Sequence, residues 1–167
     1  MSKTWETELL NELVESLSEG AEDIGIEDIN GNDVLVMEYD SENGVEDCNI
    51  MVNHINEDST EINVMVTLRS GLGEKSVNDV LSLLPYLNEY LTVGNFGITV
   101  QDGYFYFNTT QEIDEDMDRD KLLKMIGTVL DIAVNTSEEA MEMIAPVLDG
   151  ERPAAELMNE DTAIIQF

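Results

Sequence analysis

The sequence predicts an α+β domain in which an antiparallel sheet of about five strands carries its helices on one face, in the order α-β-β-β-α-β-β-α. Three observations lead there. Apolar residues recur at helical spacing in three stretches, beginning near Trp5, Val77 and Leu122. Between those stretches the spacing drops to two, the period of a half-buried strand. Short polar turns separate the two-residue stretches, so successive strands become antiparallel neighbours.

In chain order, Trp5, Leu9, Leu10, Leu13, Val14 and Leu17 form the stripe of an amphipathic first helix, and Gly20 stops it. Ala21 to Asn32 is polar and acidic and reads as a loop, with Asn30-Gly31 marking a turn. Val34 to Tyr39 is the first strand, and Ser41 to Gly44 the turn after it. Cys48, Ile50 and Val52 alternate with Asn49, Met51 and Asn53 in the second. In the third, Ile62, Val64, Val66 and Leu68 point one way, while Asn63, Met65, Thr67 and Arg69 point the other. Ser76 is positioned as the N-cap of a second helix carrying Val77, Val80, Leu81, Leu84, Leu87 and Leu91, with Pro85 expected to kink or break it. Phe96 to Val100 and Tyr104 to Phe107 flank Asp102-Gly103, the strongest hairpin signal in the chain. After an acidic loop from Ile113 to Asp118, one apolar stripe runs in helical phase from Leu122 to Leu148. Residues 1–150 make one domain, and residues 151–167 a short tail that can be loosely held until Ile164-Ile165.

The charge is extreme: 37 Asp and Glu stand against 7 Lys and Arg in 167 residues, a net charge of -30. Such a surface repels nucleic acid and anionic membranes and favours basic or amphipathic partners. Solubility alone, or a high-salt habitat, gives an acidic surface too. At 43% hydrophobic the chain has enough apolar residues for a packed core. No run approaches the roughly 18 to 20 apolar residues of a membrane span, and the N-terminus lacks a signal-peptide core. A single cysteine, Cys48, agrees with a reducing compartment, so a cytoplasmic location is expected.

Few constellations point to chemistry. Asp114, Asp116 and Asp118 imitate the first ligands of a calcium loop, but Arg119 holds its glycine position and Met125 its terminal Glu position. Asp28, Asn30 and Asn32 fail in the same way, so no metal or other cofactor is expected. Cys48 and His54 on one strand would lie roughly 20 Å apart at about 3.3 Å per residue, too far for a nucleophile pair. Gly71-Leu72-Gly73 lacks phosphate-loop spacing. Arg119, Lys121 and Lys124 are the only basic cluster, with Asp116, Asp118 and Asp120 placed to neutralise it. Met37, Met51, Met65, Met141 and Met143 read as core packing in preference to an adaptable binding surface.

The stretch LLPYLNEYLTVGNFGITVQDGYFYFNTT, Leu83 to Thr110, carries a Leu-Asn-rich helix end, a Gly-x-Phe strand entry and an Asp-Gly hairpin. Together with the element order it resembles the type III secretion chaperone fold, and within it the YbjN-like group of bacterial proteins. That resemblance implies a small, acidic, dimeric and non-enzymatic protein that holds an extended segment of a client. No catalytic motif comes with it.

The expected function is therefore a non-enzymatic protein-binding module, chaperone-like or regulatory, for a partner with a basic or amphipathic segment. Two alternatives are an immunity protein that neutralises a basic toxin and, more remotely, an enzyme of unknown chemistry. A homodimer is expected through the second helix, where Leu83, Tyr86 and Tyr90 widen the apolar face beyond a core-facing stripe.

Overall fold

The computed structural model describes residues 3–19, 21, 23–39, 44–56, 59–89 and 91–159. Its elements are α1 (Lys3–Leu17), β1 (Asp23–Ile29), β2 (Asn32–Glu38), β3 (Asp47–Asn56), β4 (Ser59–Arg69), α2 (Glu74–Asn88), β5 (Asn95–Thr99), β6 (Tyr104–Ile113), α3 (Arg119–Leu148) and α4 (Ala154–Met158). One antiparallel sheet of six strands has the order β1-β2-β3-β4-β6-β5. The α+β class agrees with the sequence reading, but the strand count and element order differ from it.

The sixth strand is β1, within the segment read as a loop. Its turn residues explain why it pairs. Asn30 and Gly31 both take positive φ, 55° and 85°. That is the requirement of a two-residue type I′ hairpin, whose twist matches that of the strands on either side. Asp28 supports the turn by accepting a hydrogen bond from the Gly31 N–H at 2.9 Å. The pairing runs from Ile29 opposite Asn32 back to Asp23 opposite Glu38. The other additional element, α4, lies in the segment read as a tail, and buries Ala154 and Leu157. Ile164-Ile165 lies outside the described residues.

Several boundaries also move. α2 starts at Glu74, two residues before Ser76, and runs through Pro85 to Asn88. β6 continues to Ile113, well past Phe107. α3 is a single 30-residue helix that crosses Ser137, as its unbroken stripe predicts. At about 1.5 Å per residue it is about 45 Å long, enough to lie across several strands. Among the described residues no helix is long and apolar enough to cross a membrane.

The core lies between one face of the sheet and the helices. Alternation puts Leu35 and Met37 of β2, Cys48 and Ile50 of β3, Ile62 to Leu68 of β4, and Phe105 and Phe107 of β6 on that face. α1 packs on β1 and β2, α3 on β4 and β6, and α2 on β5, α3 and α4. Phe96 meets Phe107 edge to face at 5.1 Å and Phe105 in a stacked arrangement at 5.9 Å.

Asn88 fixes the outer edge of this corner. Its side-chain amide donates to the Phe96 carbonyl at 3.0 Å and accepts from the Phe96 N–H at 2.7 Å. At Phe96 one side chain thereby does what a neighbouring strand would do on the outer edge of β5. Asn88→Ala leaves both groups of a buried residue without this partner. Such groups cost about 1–3 kcal/mol each when unsatisfied, and access of water reduces that. The expected result is a loss of about 2 kcal/mol in urea denaturation. A loss below about 0.5 kcal/mol, the range of an ordinary surface substitution, refutes the strand-mimic role.

Candidate protein-binding face

Among the described residues, the opposite face of the sheet is lined by strand residues and by Asp102 of the β5–β6 turn. Val36, Asn49, Met51, Asn63, Met65, Thr67, Tyr106 and Asn108 lie on it in register across four strands. A shallow depression of about 480 Å³ runs over Met51, Met65, Tyr104 and Tyr106, bordered by Asn53, Asn63, Asn108, Thr99 and Asp102. No residue of a helix lines it among those described. Met51 and Met65 therefore sit half-buried on the uncovered face and not in the core, whereas Met37 and Met141 are core residues. The core reading of Met51 and Met65 is corrected accordingly.

Polar groups hold this face in one arrangement. Asn63 donates to Asn108 Oδ1 at 2.8 Å, tying β4 to β6. At the other end, Asp47 accepts from the Thr67 hydroxyl at 2.8 Å and from the Asn49 amide at 3.2 Å. Burial raises the Asp47 carboxyl above its ordinary range. The Thr67 bond acts against that shift, while the Glu46 and Glu38 charges add to it. The Tyr106 ring packs directly over Gly97, which has no side chain to displace it. The six strands contain no lysine, and Arg69 is their only arginine, 3.6 Å from Asp149. Apolar and amide groups thus lie in a field set by Asp47, Glu61, Asp102 and Glu112.

This chemistry suits a peptide-like partner. Flat aromatic and thioether groups take up apolar side chains of varied shape, amides and hydroxyls meet main-chain polar groups, and the carboxylates attract lysine and arginine.

The residues singled out in the sequence fall elsewhere. Leu83 is fully buried in the core, on the side of α2 that faces the sheet, so it offers no surface to a second copy. α2 packs on β5, α3 and α4 and buries Val77, Val80, Leu83 and Leu87, while Leu81 of the same stripe is exposed. Tyr86 is half-buried against the same core, and Tyr90 lies outside the described residues.

Cys48 is fully buried, and burial, with the charge of Asp47 added, pushes its thiol well above the usual range. His54 is near the far end of the same strand and away from Cys48. Its Nε2 meets Glu6 Oε1 of α1 and its Nδ1 lies 3.0 Å from the Thr60 hydroxyl. Thr60 in turn donates to Glu115 at 2.8 Å. Because that donation uses the only Thr60 proton, His54 Nδ1 is the donor to Thr60. This link between α1, the sheet and the loop before α3 has no local signature, since its members are far apart in the chain.

Arg119 departs from its expected role. Instead of pairing with the neighbouring aspartates it forms a two-point bond with Glu12, at 2.8 and 3.2 Å, and lies 5.1 Å from the Trp5 ring centre. That bond holds the Glu12 carboxyl below its ordinary range. Lys121 and Lys124 are exposed. Asp118 caps α3 by accepting from the Lys121 N–H, and Asp114 accepts from the Asp116 N–H. Asp28, Asn30 and Asn32 belong to the β1–β2 hairpin. Among the described residues, no three of His, Cys, Asp and Glu converge as a metal site requires. No protein-family model matches this chain, and no curated protein is found similar to it.

Proposed function

We propose that this protein is a non-enzymatic, acidic protein-binding module that takes a basic or amphipathic segment of a partner on the uncovered face of its sheet. One observation carries the reading: a half-buried Met and Tyr surface, with no helix over it among the described residues, in a chain of net charge -30. An uncovered apolar surface rimmed by charge is the usual mark of an interaction site, and the sign of that charge selects the partner. The likeness of Leu83 to Thr110 to the YbjN-like group, with the client-holding role it implies, supports the same reading; a cytoplasmic location and a homodimer are part of the proposal.

A pull-down from the native host with wild-type protein and with Met65→Lys tests it. Wild type retains a protein whose captured segment is basic or amphipathic, and retention weakens as salt screens the charges. Met65→Lys puts a cation on the face without entering the core, and weakens retention by about tenfold, the effect of losing a central contact. Capture of nucleic acid alone, or equal retention by the variant, overturns the proposal.

A further inference from the structure

The two sides of β6 are unequally used. Toward β4 it is paired from Phe105 to Ile113, but β5 covers it only from Tyr104 to Asn108. Beyond Asn108 the chain that would continue β5 has turned away at Gly94, whose φ is +73°. Among the described residues, the segment Thr109 to Ile113 therefore has one paired edge and one edge with no strand beside it.

The direction of its backbone groups follows from Asn88. Because Asn88 bonds both the N–H and the carbonyl of Phe96, those groups point away from β6. In an antiparallel ladder the residue opposite also points its groups away, so Phe107 directs its own toward β4. Alternation then sends the groups of Thr109, Gln111 and Ile113 to β4, and those of Thr110 and Glu112 to the vacant side. The Gln111 side chain donates to the Glu112 carbonyl at 3.0 Å. No described residue bonds the N–H groups of Thr110 and Glu112 or the carbonyl of Thr110. Asn88 occupies the outer side of β5 at Phe96, whereas no described strand lies beside β6 at Thr110 and Glu112.

A groove of about 670 Å³ adjoins that edge on the helix side. Ile113, Met117 and Met125 provide its apolar wall, and Asp114, Glu115 and Asp116 its charge. On the other side of the edge begins the uncovered face, with Thr110 opposite Asn63.

We propose that the partner segment docks in extended form by pairing its main chain with the free edge of β6 at Thr110 and Glu112. Its alternate side chains enter the acidic groove and the uncovered face. Main-chain bonds supply the grip in strand addition, and the flanking pockets select the side chains. The charge commits the occupant to a segment alternating apolar residues with lysine or arginine. A second copy would bring Glu112 and Asp114 against their own counterparts and add another net charge of -30. This inference rests on the protein-binding reading and adds the edge, the extended conformation and the alternation.

The test is fluorescence anisotropy with a labelled eight-residue peptide alternating valine and lysine, on the full chain. Thr110→Pro removes the outward N–H, fills the edge with the proline ring, and spares every bond to β4. It is expected to weaken binding by about tenfold, the loss of one to two hydrogen bonds at about 1 kcal/mol each. A peptide of the same sequence with alternate backbone nitrogens methylated, tried in both registers, weakens comparably in one of them. That arm is independent of any variant's folding. Equal binding by Thr110→Pro and by both methylated peptides overturns edge pairing. If Met65→Lys still weakens binding by about tenfold in that case, the protein-binding reading stands and the segment lies on the face alone. Absence of binding by wild type overturns both. Binding only after truncation behind Asn159 assigns the edge to the chain's own C-terminus, and self-association lost in Thr110→Pro assigns it to a second copy. Either result overturns the proposal.

Discussion

Leu83→Asp is expected to unfold the protomer and not to release a folded monomer from a dimer. The Leu83 side chain is fully buried, on a helix that packs against β5, α3 and α4. Removing a buried leucine to alanine costs about 2–5 kcal/mol through lost burial and the cavity left behind. A carboxylate at the same place adds the cost of burying an unpaired charge. A domain of this kind has about 5–15 kcal/mol of stability in total, so the aspartate variant uses most of it. Urea denaturation of Leu83→Ala and Leu83→Asp, each at several protein concentrations, makes the distinction. The expected outcome is a loss of about 3 kcal/mol for alanine, independent of concentration, and little or no folded aspartate protein. A Leu83→Asp chain that stays folded and merely changes mass would return Leu83 to a contact between copies. Because Tyr86 is only half-buried, Tyr86→Asp is the variant that probes that helix as an interface without emptying the core.

The contrast between Leu83 and Ile24 shows what was legible in the sequence. Alternation in β4 and the continuous stripe of α3 were readable because each buries one regular face, and burial enforces the period. β1 was not, although Ile24 and Ile26 alternate in it. It is an edge strand with a single neighbour, so Asp23, Glu27 and Asp28 are tolerated and the composition looks like a loop. The signal that could have found it was Asn30-Gly31: a type I′ turn before the strand at Val34 implies a strand on its other side as well. On α2 the residue that departs from expectation is Leu83, which is buried in the core. The apolar face of this helix is wider than one sheet can cover, and α4, in the segment read as a tail, packs against the same helix. The uncovered face was half legible: the alternation of Asn63, Met65 and Thr67 against the core positions was plain, but sequence alone could not show that no described helix lines it. The free edge of β6 was invisible, since it depends on where β5 stops relative to β6 and on a side chain, Asn88, from another element.

Gly94→Ala tests the device that sets that edge. At φ +73° the backbone is in the left-handed region, which costs a residue with a Cβ about 1–2 kcal/mol. Here there is also no room. The added Cβ would lie 2.4 Å from Cζ of Phe107 and 2.7 Å from the Asn108 carbonyl oxygen. Phe107 is fully buried against Phe96, and the Asn108 carbonyl is main chain in the middle of β6, so neither can step aside cheaply. Overpacking of this kind costs about 1–3 kcal/mol more, giving about 3 kcal/mol together. At roughly 2–4 °C per kcal/mol for a domain of this size, the melting temperature falls by about 6–12 °C. Gly71→Ala is the internal standard: φ is +64°, but nothing lies within 4 Å of its Cβ position. It carries the backbone cost without the collision and is expected to lose about 1–2 kcal/mol. The difference between the two variants, read by thermal and urea denaturation, isolates the contact of Gly94 with β6. Equal losses would mean that the chain at Gly94 can move off β6 without penalty. The close approach would then not be what ends the β5 pairing at Asn108.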